Sequence, residues 1–537
     1  MPAALIAPLA ASVAVAVGLS SLLLACIGVL ALFVDSGAAL AWAMENPVAA
    51  YRWLPELFWT VPEEFRLLVG GPAFLMGVIA GVAVWRGAAR RPGEWSDTTL
   101  RGARLMRADG SLRRGVWRIW GPKLARGRLV VGTVPVALES ETHHFLLSGA
   151  TGTGKSQIMD GFLRTIRRRG QRCLVIDHSG GFLARHGREE DLLLNPFDAR
   201  SMTWSPFAEI VNEYDCRRIA NAIMPDPLDG AADKAEWIRY GQTFLSDVLR
   251  VMHRRGRDNP LELHRWLTGA SPDELRGLLA GTTSAIFSQQ ANARLLGSVR
   301  GVMTPYVRFL EHLRRVSHPF SVRKWVTQSD GGEWLFVTYK EDQLDELRQY
   351  LSCIASIAMV EALSLPESRD RRLWFILDEL ASLGHLGRLP DTLTKLRKLG
   401  GCVVVAVQII SQLRAIYGRD VAQAIIGNAS TKVILRQEDG ETAKYWEEQL
   451  GQRQVKRTLG GSSSNRSVSI ERSVRGESRS MQIVRESVLL ASELMALKDL
   501  QGVVTRTGKP HARFRHFFVA MEHRIAGFEA KKARRND

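Results

Sequence analysis

The sequence predicts an α/β protein, in which a mainly parallel sheet carries an inserted all-α subdomain and an N-terminal stem of two transmembrane helices. Three observations support this prediction. Short, continuously apolar runs recur from residue 145 onward, as expected of parallel strands that helices cover on both faces. Between residues 212 and 323 the pattern changes to helical spacing. Two long uncharged segments precede all of these elements.

The composition is that of a large folded protein with an excess of positive charge. The 537 residues are 46% hydrophobic and 24% charged, which excludes a disordered or collagen-like chain. The 72 Lys and Arg outnumber the 55 Asp and Glu, so the net charge is +17. The excess lies in residues 86–128 and 451–537 and favours a polyanionic partner, either nucleic acid or an acidic membrane. The five cysteines are far apart, which argues against disulfides and zinc.

The first uncharged segments predict a membrane stem over residues 1–92. Pro8–Val34 exceeds the ~30 Å hydrocarbon thickness when helical, and no basic residue precedes it, unlike a cleaved signal peptide. A second span, Leu67–Trp85, is followed by the arginines of 86–91, so the positive-inside rule places a short loop outside and both termini in the cytoplasm. Part of the basic excess of 86–128 is then a topology signal, and a direct DNA role stays open.

The sequence Gly149–Ser156 (GATGTGKS) matches a P-loop. An apolar strand, His143–Ser148, precedes it, and a helical pattern follows through Arg169. Glycines let successive backbone N–H groups face phosphates, a lysine neutralises the β- and γ-oxygens, and a hydroxyl holds Mg²⁺. The motif therefore predicts an ATP site formed by the following residues: Gly149, Thr151, Gly152, Thr153, Gly154, Lys155 and Ser156.

A second apolar run ends in two acids, as the metal-side strand of such a site requires. Leu373–Leu377 is followed by Asp378 and Glu379. We expect Asp378 to hold the Mg²⁺ shell and Glu379 to orient or deprotonate the attacking water. An Asp-Glu pair after an apolar strand is a weak signal alone, and the P-loop upstream strengthens it.

Further polar residues lie near the ends of these strands. Gln408 follows the apolar strand Gly401–Val407 and fits a γ-phosphate sensor, or it is a strand-end residue that bonds a neighbouring loop. Arg397 and Lys398 lie on a short helix, where one is an arginine finger for a neighbouring subunit or both form a solvated basic face. Asp177, at the end of another strand, is interpreted as a turn residue.

The long separation between the P-loop and the Asp-Glu pair requires an insertion into a RecA-like core. The aromatic residues of this insertion are interpreted as core rather than base-stacking positions. After Gly451 the composition turns to Gly, Ser and Arg, which predicts a flexible loop. The predicted divisions are the stem (1–92), the first motor part (93–211), the all-α domain (212–323), the second motor part (324–451), the flexible basic loop (452–480) and the C-terminal motor part with a basic tail (481–537).

Taken in order, these motifs resemble those of type IV coupling proteins of the TraD/TraG class. The resemblance includes the two spans, the P-loop, Ile376–Leu380 (ILDEL), Leu396–Gly401 (LRKLGG) and the phrase Leu194–Arg200 (LNPFDAR), which a generic P-loop protein lacks. It implies a RecA-like P-loop motor in a homo-hexamer, with ATP and Mg²⁺ as cofactors and Arg397 as the finger acting in trans. The turn after Asp177 departs from the family pattern.

This resemblance implies a coupling ATPase of the bacterial inner membrane. Its substrate would be single-stranded DNA with a bound relaxase, delivered to the channel components of a type IV secretion system. Three alternatives remain: a coupling ATPase for protein effectors, a double-stranded DNA pump of the FtsK/HerA kind, and a docking receptor gated by nucleotide. The two-span stem and LNPFDAR disfavour the DNA pump, and Glu379 argues against the receptor.

Overall fold

A computed structural model describes residues 98–107, 127–227, 232–328, 331–463 and 476–531. The two predicted membrane spans lie outside these residues. Within the described ranges, no helix combines the length and apolar character needed to cross a bilayer. Contacts divide the chain into two units, one of Met1–Arg101 with Gln454–Arg485 and the other of Gly102–Arg453 with Glu486–Asp537.

The strands of the described residues are numbered in chain order. They are β1 Thr98–Gly102, β2 Leu105–Arg107, β3 Val130–Val131, β4 Val134–Pro135, β5 Phe145–Ser148, β6 Cys173–His178, β7 Leu192–Leu194, β8 Leu335–Tyr339, β9 Leu373–Leu377, β10 Gly401–Val407, β11 Thr431–Ile434, β12 Gln452–Ser463, β13 Gly476–Ser487, β14 Gln501–Arg506 and β15 Lys509–Arg515.

The α-helices are numbered in the same way. They are α1 Lys155–Arg168, α2 Gly181–His186, α3 Glu213–Ile223, α4 Ala232–Arg254, α5 Pro260–Thr268, α6 Pro272–Leu279, α7 Ala293–Val307, α8 Val322–Gln328, α9 Leu344–Ala362, α10 Leu389–Leu396, α11 Ile410–Tyr417, α12 Arg419–Asn428, α13 Gly440–Leu450 and α14 Ala491–Met495.

The second unit is built on a ten-stranded sheet in the order β2-β15-β14-β11-β5-β10-β9-β6-β8-β7. The strands from β11 to β7 are parallel, whereas β14 is antiparallel to β11 and to β15. Because the parallel strands β5, β10, β9 and β6 are neighbours, their carboxyl ends meet at one edge of the sheet, where ligands bind in open α/β folds.

Apolar cores cover both faces of this sheet, which explains the continuous apolar runs. Along β5, Phe145 and Leu147 pack in one core with Phe162 of α1, whereas Leu146 packs in the other with Ile354 of α9. Since successive side chains of a strand point to opposite faces, a strand buried on both sides must be apolar throughout.

The segment between β7 and β8 carries α3 to α8, and its described residues form no strand between 213 and 328. Capping residues in the sequence mark where two of these helices begin. Asn212 and Asp215 form a capping box at α3, and Ser271 with Glu274 forms another at α6. The segment leaves and returns at neighbouring points, since an isolated bridge joins Trp204 to Phe320.

The described part of the predicted loop 452–480 differs from the prediction. It contains β12 and the start of β13, which pair with each other and with β1 in a three-stranded sheet. Residues 464–475 lie outside the described residues. The strand signal is weak in the sequence because Gln, Arg, Lys, Gly and Ser alternate with few apolar residues, of which Val455 is buried.

Candidate nucleotide site

A cavity of about 790 Å³ opens at the carboxyl edge of the parallel strands. The loop after β5, the two acids after β9 and the glutamine after β10 all reach it, together with residues of α9 and α11. The polar lining includes Thr151, Lys155, Ser156, His178, Glu341, Asp378, Glu379 and Gln408. The topology therefore collects in one place the motifs that were predicted to act together.

The P-loop needs its glycines for both conformation and space. Gly152 and Gly154 adopt left-handed φ values of 76° and 111°. A Cβ atom on Gly154 would lie 2.5 Å from Cδ2 of Leu500, and one on Gly149 would lie 2.8 Å from Cβ of Leu435. The loop is tied to the sheet because the Gly149 N–H donates to the Val407 carbonyl at 3.3 Å. Larger residues would displace the backbone N–H groups that face the cavity.

Lys155 opens helix α1 and is only 9% exposed. Its Nζ donates to the carbonyl oxygens of Gly149 at 2.6 Å and Ala150 at 3.0 Å. Burial lowers the pKa of Lys155, and the charges of Glu379 and Asp378 oppose that shift. The lysine thus lies between the loop and the acids, at the positive end of the helix dipole.

The two acids at the end of β9 are partly buried at the wall of the cavity. Burial raises the pKa of Asp378 to about 6, while the charge of Lys155 lowers it. Burial also raises the pKa of Glu379, against a hydrogen bond from Gln408. Oε1 of Glu379 is buried and makes no hydrogen bond to the described residues. A buried carboxylate oxygen without a partner is suited to accept a proton or a water.

Gln408 joins the P-loop to the acidic pair. Its Nε2 donates to Oε2 of Glu379 at 2.8 Å, and its Oε1 accepts from the Thr151 hydroxyl at 3.2 Å. Of the two interpretations of Gln408, the bond to a neighbouring loop is thus present. Because that loop is the P-loop, the same geometry also suits a sensor of bound phosphate.

The residues present fit a nucleotide with Mg²⁺. The P-loop forms a glycine cradle, the Ser156 hydroxyl and Asp378 both line the cavity, and Glu379 has a free acceptor. Within the described ranges, no group of three His, Cys, Asp or Glu forms a metal site from the protein alone.

Three residues considered from the sequence, Arg397, Lys398 and Asp177, do not line this cavity. Arg397 and Lys398 precede β10 and line a different cavity of about 950 Å³. Asp177 is buried, and its carboxylate accepts the Leu183 N–H at 2.7 Å, so it ties the turn after β6 to helix α2. Asp177 thus lies in β6, one residue before its end, and bonds the chain beyond the turn without belonging to the turn itself, which corrects its interpretation as a turn residue.

Sequence reasoning missed His178 and Glu341, which line the cavity and pair with each other at 3.0 Å. His178 is the last residue of β6 and Glu341 lies just beyond β8, and the two strands are parallel neighbours. The sequence did offer a signal, because each residue lies at or just beyond the end of an apolar run. Only the order of the strands in the sheet shows that His178 and Glu341 are neighbours. Leu500, which packs on the P-loop, carried no signal because it is distant in sequence.

Comparison with known proteins places most of the chain in one family. Residues 128–516 match the family model described as "Type IV secretion-system coupling protein DNA-binding domain". The coupling protein TraD of Escherichia coli K12 is 28% identical over 385 residues, which are 70% of this chain and 53% of TraD. The conjugal transfer protein TraG of Agrobacterium fabrum C58 is 31% identical over 143 residues, 26% of this chain and 21% of TraG. The match therefore spans about half the length of TraD.

Solved structures of the bacterial conjugative coupling protein TrwB share the fold. The unbound TrwBdeltaN70 structure has a TM-score of 0.70 and 32% identity, covering 80% of this chain and 96% of that one. TrwB in complex with ADP and Mg²⁺ has a TM-score of 0.69 and 31% identity, covering 81% and 98%. TrwB has also been solved with a non-hydrolysable ATP analogue. The α/β prediction and the family resemblance are thus confirmed.

Proposed function

Because the chain belongs to the TraD/TrwB/TraG family of type IV secretion coupling proteins, we propose that it is a membrane ATPase that moves single-stranded DNA, with a bound relaxase, to a secretion channel. The observation that carries the ATPase proposal is the Thr151–Gln408–Glu379 chain of hydrogen bonds. It links the loop that would hold the phosphates to the group that would act on water.

Each residue of the site then has a chemical role. Lys155 neutralises charge on the β- and γ-phosphates once it exchanges its bonds to the loop carbonyls for phosphate oxygens. Ser156 and Asp378 would hold Mg²⁺, which withdraws charge from the phosphates as a Lewis acid. Glu379 orients the attacking water and takes its proton, for which its burial and its free Oε1 are suited. Gln408 fixes the orientation of the Glu379 carboxylate through one hydrogen bond and senses the state of the P-loop through its bond with Thr151.

The proposal that DNA is the transported substrate is supported by the family match and by the net charge of the chain. The matched family model is named for DNA binding, and the TrwB structures are of a conjugative coupling protein. The net charge of +17 suits a polyanion. We further propose the stem of two spans in the bacterial inner membrane, with both termini cytoplasmic, and a homo-hexamer in which Arg397 acts on the neighbouring subunit.

The decisive experiment is ATP hydrolysis by the detergent-solubilised protein, with and without single-stranded DNA. We expect hydrolysis that DNA stimulates and that Lys155→Ala abolishes, because the variant removes the positive charge that neutralises the β- and γ-phosphates. Lys444→Ala serves as the matched control, since Lys444 is exposed on α13. Circular dichroism and membrane insertion should be unchanged in both variants. DNA transfer at the wild-type level by Lys155→Ala would refute the motor function.

A further inference from the structure

The C-terminal segment 516–531, here named the C-terminal strap, has no regular secondary structure yet is bonded along its length to the second unit. It follows β15 and passes the carboxyl edge of the sheet. Its contacts fall into three groups, at the P-loop, at the turn after β6 with the loop after β8, and at the LNPFDAR phrase. The proposed function leaves both the strap and this phrase without a role.

At its start the strap is joined to the P-loop. The Leu500 N–H donates to the Thr153 carbonyl at 2.9 Å, and the Leu500 carbonyl accepts the His516 N–H at 2.7 Å. Leu500 itself adopts a left-handed φ of 61°, which is uncommon for a bulky residue. Next, the Val519 N–H donates to Oε1 of Gln157, in the first turn of α1, at 2.9 Å. The strap is therefore joined to the P-loop through Leu500 and to the first turn of α1 through Gln157.

In its middle the strap packs on the turn that follows His178. A Cβ atom on Gly180 would lie 2.1 Å from the Gly527 carbonyl oxygen, and one on Gly527 would lie 2.8 Å from the Gly180 oxygen. Only glycine at both positions permits this approach. The Arg524 N–H also donates to the Ala184 carbonyl at 2.7 Å. The strap thus packs against the turn that directly follows His178, a residue of the cavity wall.

The next contact lies at the loop after β8. Nζ of Lys340 lies 3.9 Å from the centre of the Phe528 ring, a cation–π distance. Lys340 directly precedes Glu341, which lines the cavity and pairs with His178. Both missed residues of the cavity wall are therefore adjacent to strap contacts.

At its end the strap is anchored by the LNPFDAR phrase. Asp198 is fully buried, and its Oδ2 accepts from Arg200 at 2.8 Å and from the Glu529 N–H at 3.1 Å. The Ala199 N–H donates to the Glu529 carbonyl at 2.7 Å. Nζ of Lys531 donates to the Pro196 carbonyl at 2.6 Å. Three residues of the phrase, Pro196, Asp198 and Ala199, thus hold the last described residues of the chain.

We propose that the C-terminal strap is a positioning element of the nucleotide site and that LNPFDAR is its anchor. By joining the P-loop, the turn after β6 and the loop after β8, the strap holds His178 and Glu341 at the cavity wall. Displacement of the strap would let that wall move away from the nucleotide. Misplacement by about 1 Å is enough to reduce catalysis roughly a hundredfold. The proposal rests on the ATPase function proposed above.

The test compares Gly527→Val with Ala526→Val in the full chain. The first places a Cβ against the Gly180 carbonyl, and the second adds bulk to an exposed side chain one residue away. For Gly527→Val we expect kcat for ATP to fall by between about tenfold and a hundredfold. The thermal midpoint should stay within about 2 °C of wild type. Hydrogen exchange of amides 178–184 should accelerate. Ala526→Val should match wild type in all three measurements.

Lys531→Met tests the anchor without added bulk. We expect a smaller fall in kcat in the same direction, and a double variant with Gly527→Val no worse than the single Gly527→Val, because both release one element. Wild-type hydrolysis by Gly527→Val with accelerated exchange at 178–184 would overturn the proposal, as would unchanged exchange. If the wild-type protein does not hydrolyse ATP, the proposed function fails, and the exchange measurement still decides whether the strap holds the turn.

Discussion

Glu379 combines a buried carboxylate oxygen without a partner and a second oxygen bonded to Gln408. We predict that Glu379→Gln binds ATP with nearly wild-type affinity and hydrolyses it at least about a hundredfold more slowly, since the amide keeps the shape and loses the base. Binding of a fluorescent ATP analogue and single-turnover hydrolysis measure the two effects separately. Equal loss of binding and turnover would assign Glu379 to structure.

Asp177 is predicted to make stability depend on pH. Its carboxyl ionises near ~3.9 in an unfolded chain, whereas burial raises its pKa to about 7 in the fold. Between these values the folded state keeps a proton that the unfolded state has lost, so the free energy of unfolding falls as pH rises. Asn does not ionise and keeps the acceptor for the Leu183 N–H.

Asp177→Asn should therefore raise the thermal midpoint more at pH 8 than at pH 5, relative to wild type. The matched control is Asp391→Asn, because Asp391 is exposed in the first turn of α10. ATP hydrolysis by Asp177→Asn should stay within about threefold of wild type, since the residue only bonds the backbone of the turn. An identical midpoint difference at the two pH values would show that Asp177 does not titrate in this range.

At the scale of elements, β12 and β13 flank the basic residues 464–475. We predict that replacing Arg466, Arg472 and Arg475 by Ser flattens the slope of log DNA affinity against log salt by about 2, because each phosphate contact on a single strand contributes about 0.7. Hydrolysis without DNA should not change. Keeping the chain length leaves the connection between the two strands unaltered.

The control for this prediction is the replacement of Arg254, Arg265 and Arg276 by Ser, three largely exposed arginines of the helical segment. An unchanged salt slope in the 464–475 variant would mean that DNA is held elsewhere. A flattened slope in the control alone would place the DNA path on the helical segment instead.

At the scale of the whole molecule, Arg397 lies before β10, whereas the nucleotide cavity lies after the same strand. Seven residues of strand separate the two by about 20 Å, so Arg397 cannot reach the cavity of its own subunit. If it acts in trans, a mixture of Arg397→Ala and Glu379→Gln chains should recover activity that neither shows alone, since some interfaces keep both residues.

The mixing experiment requires proof of mixed assemblies, by co-purification of two tags. Lys398→Ala, in the same turn, is the matched control and should hydrolyse ATP by itself. Mixtures that never exceed the sum of their separate activities, with mixed assemblies present, would remove Arg397 from catalysis and leave it on the solvated basic face.

The sequence by itself determined the α/β class, the P-loop and the acidic pair, because these features are local. A glycine loop between an apolar strand and a helix, or an apolar strand ending in two acids, is complete within about ten residues. Tertiary structure decided which distant segments meet. Neighbouring parallel strands bring His178 to Glu341 and Gln408 to Thr151. Likewise, LNPFDAR meets the C-terminal strap through single hydrogen bonds, which leave no periodic pattern in either segment.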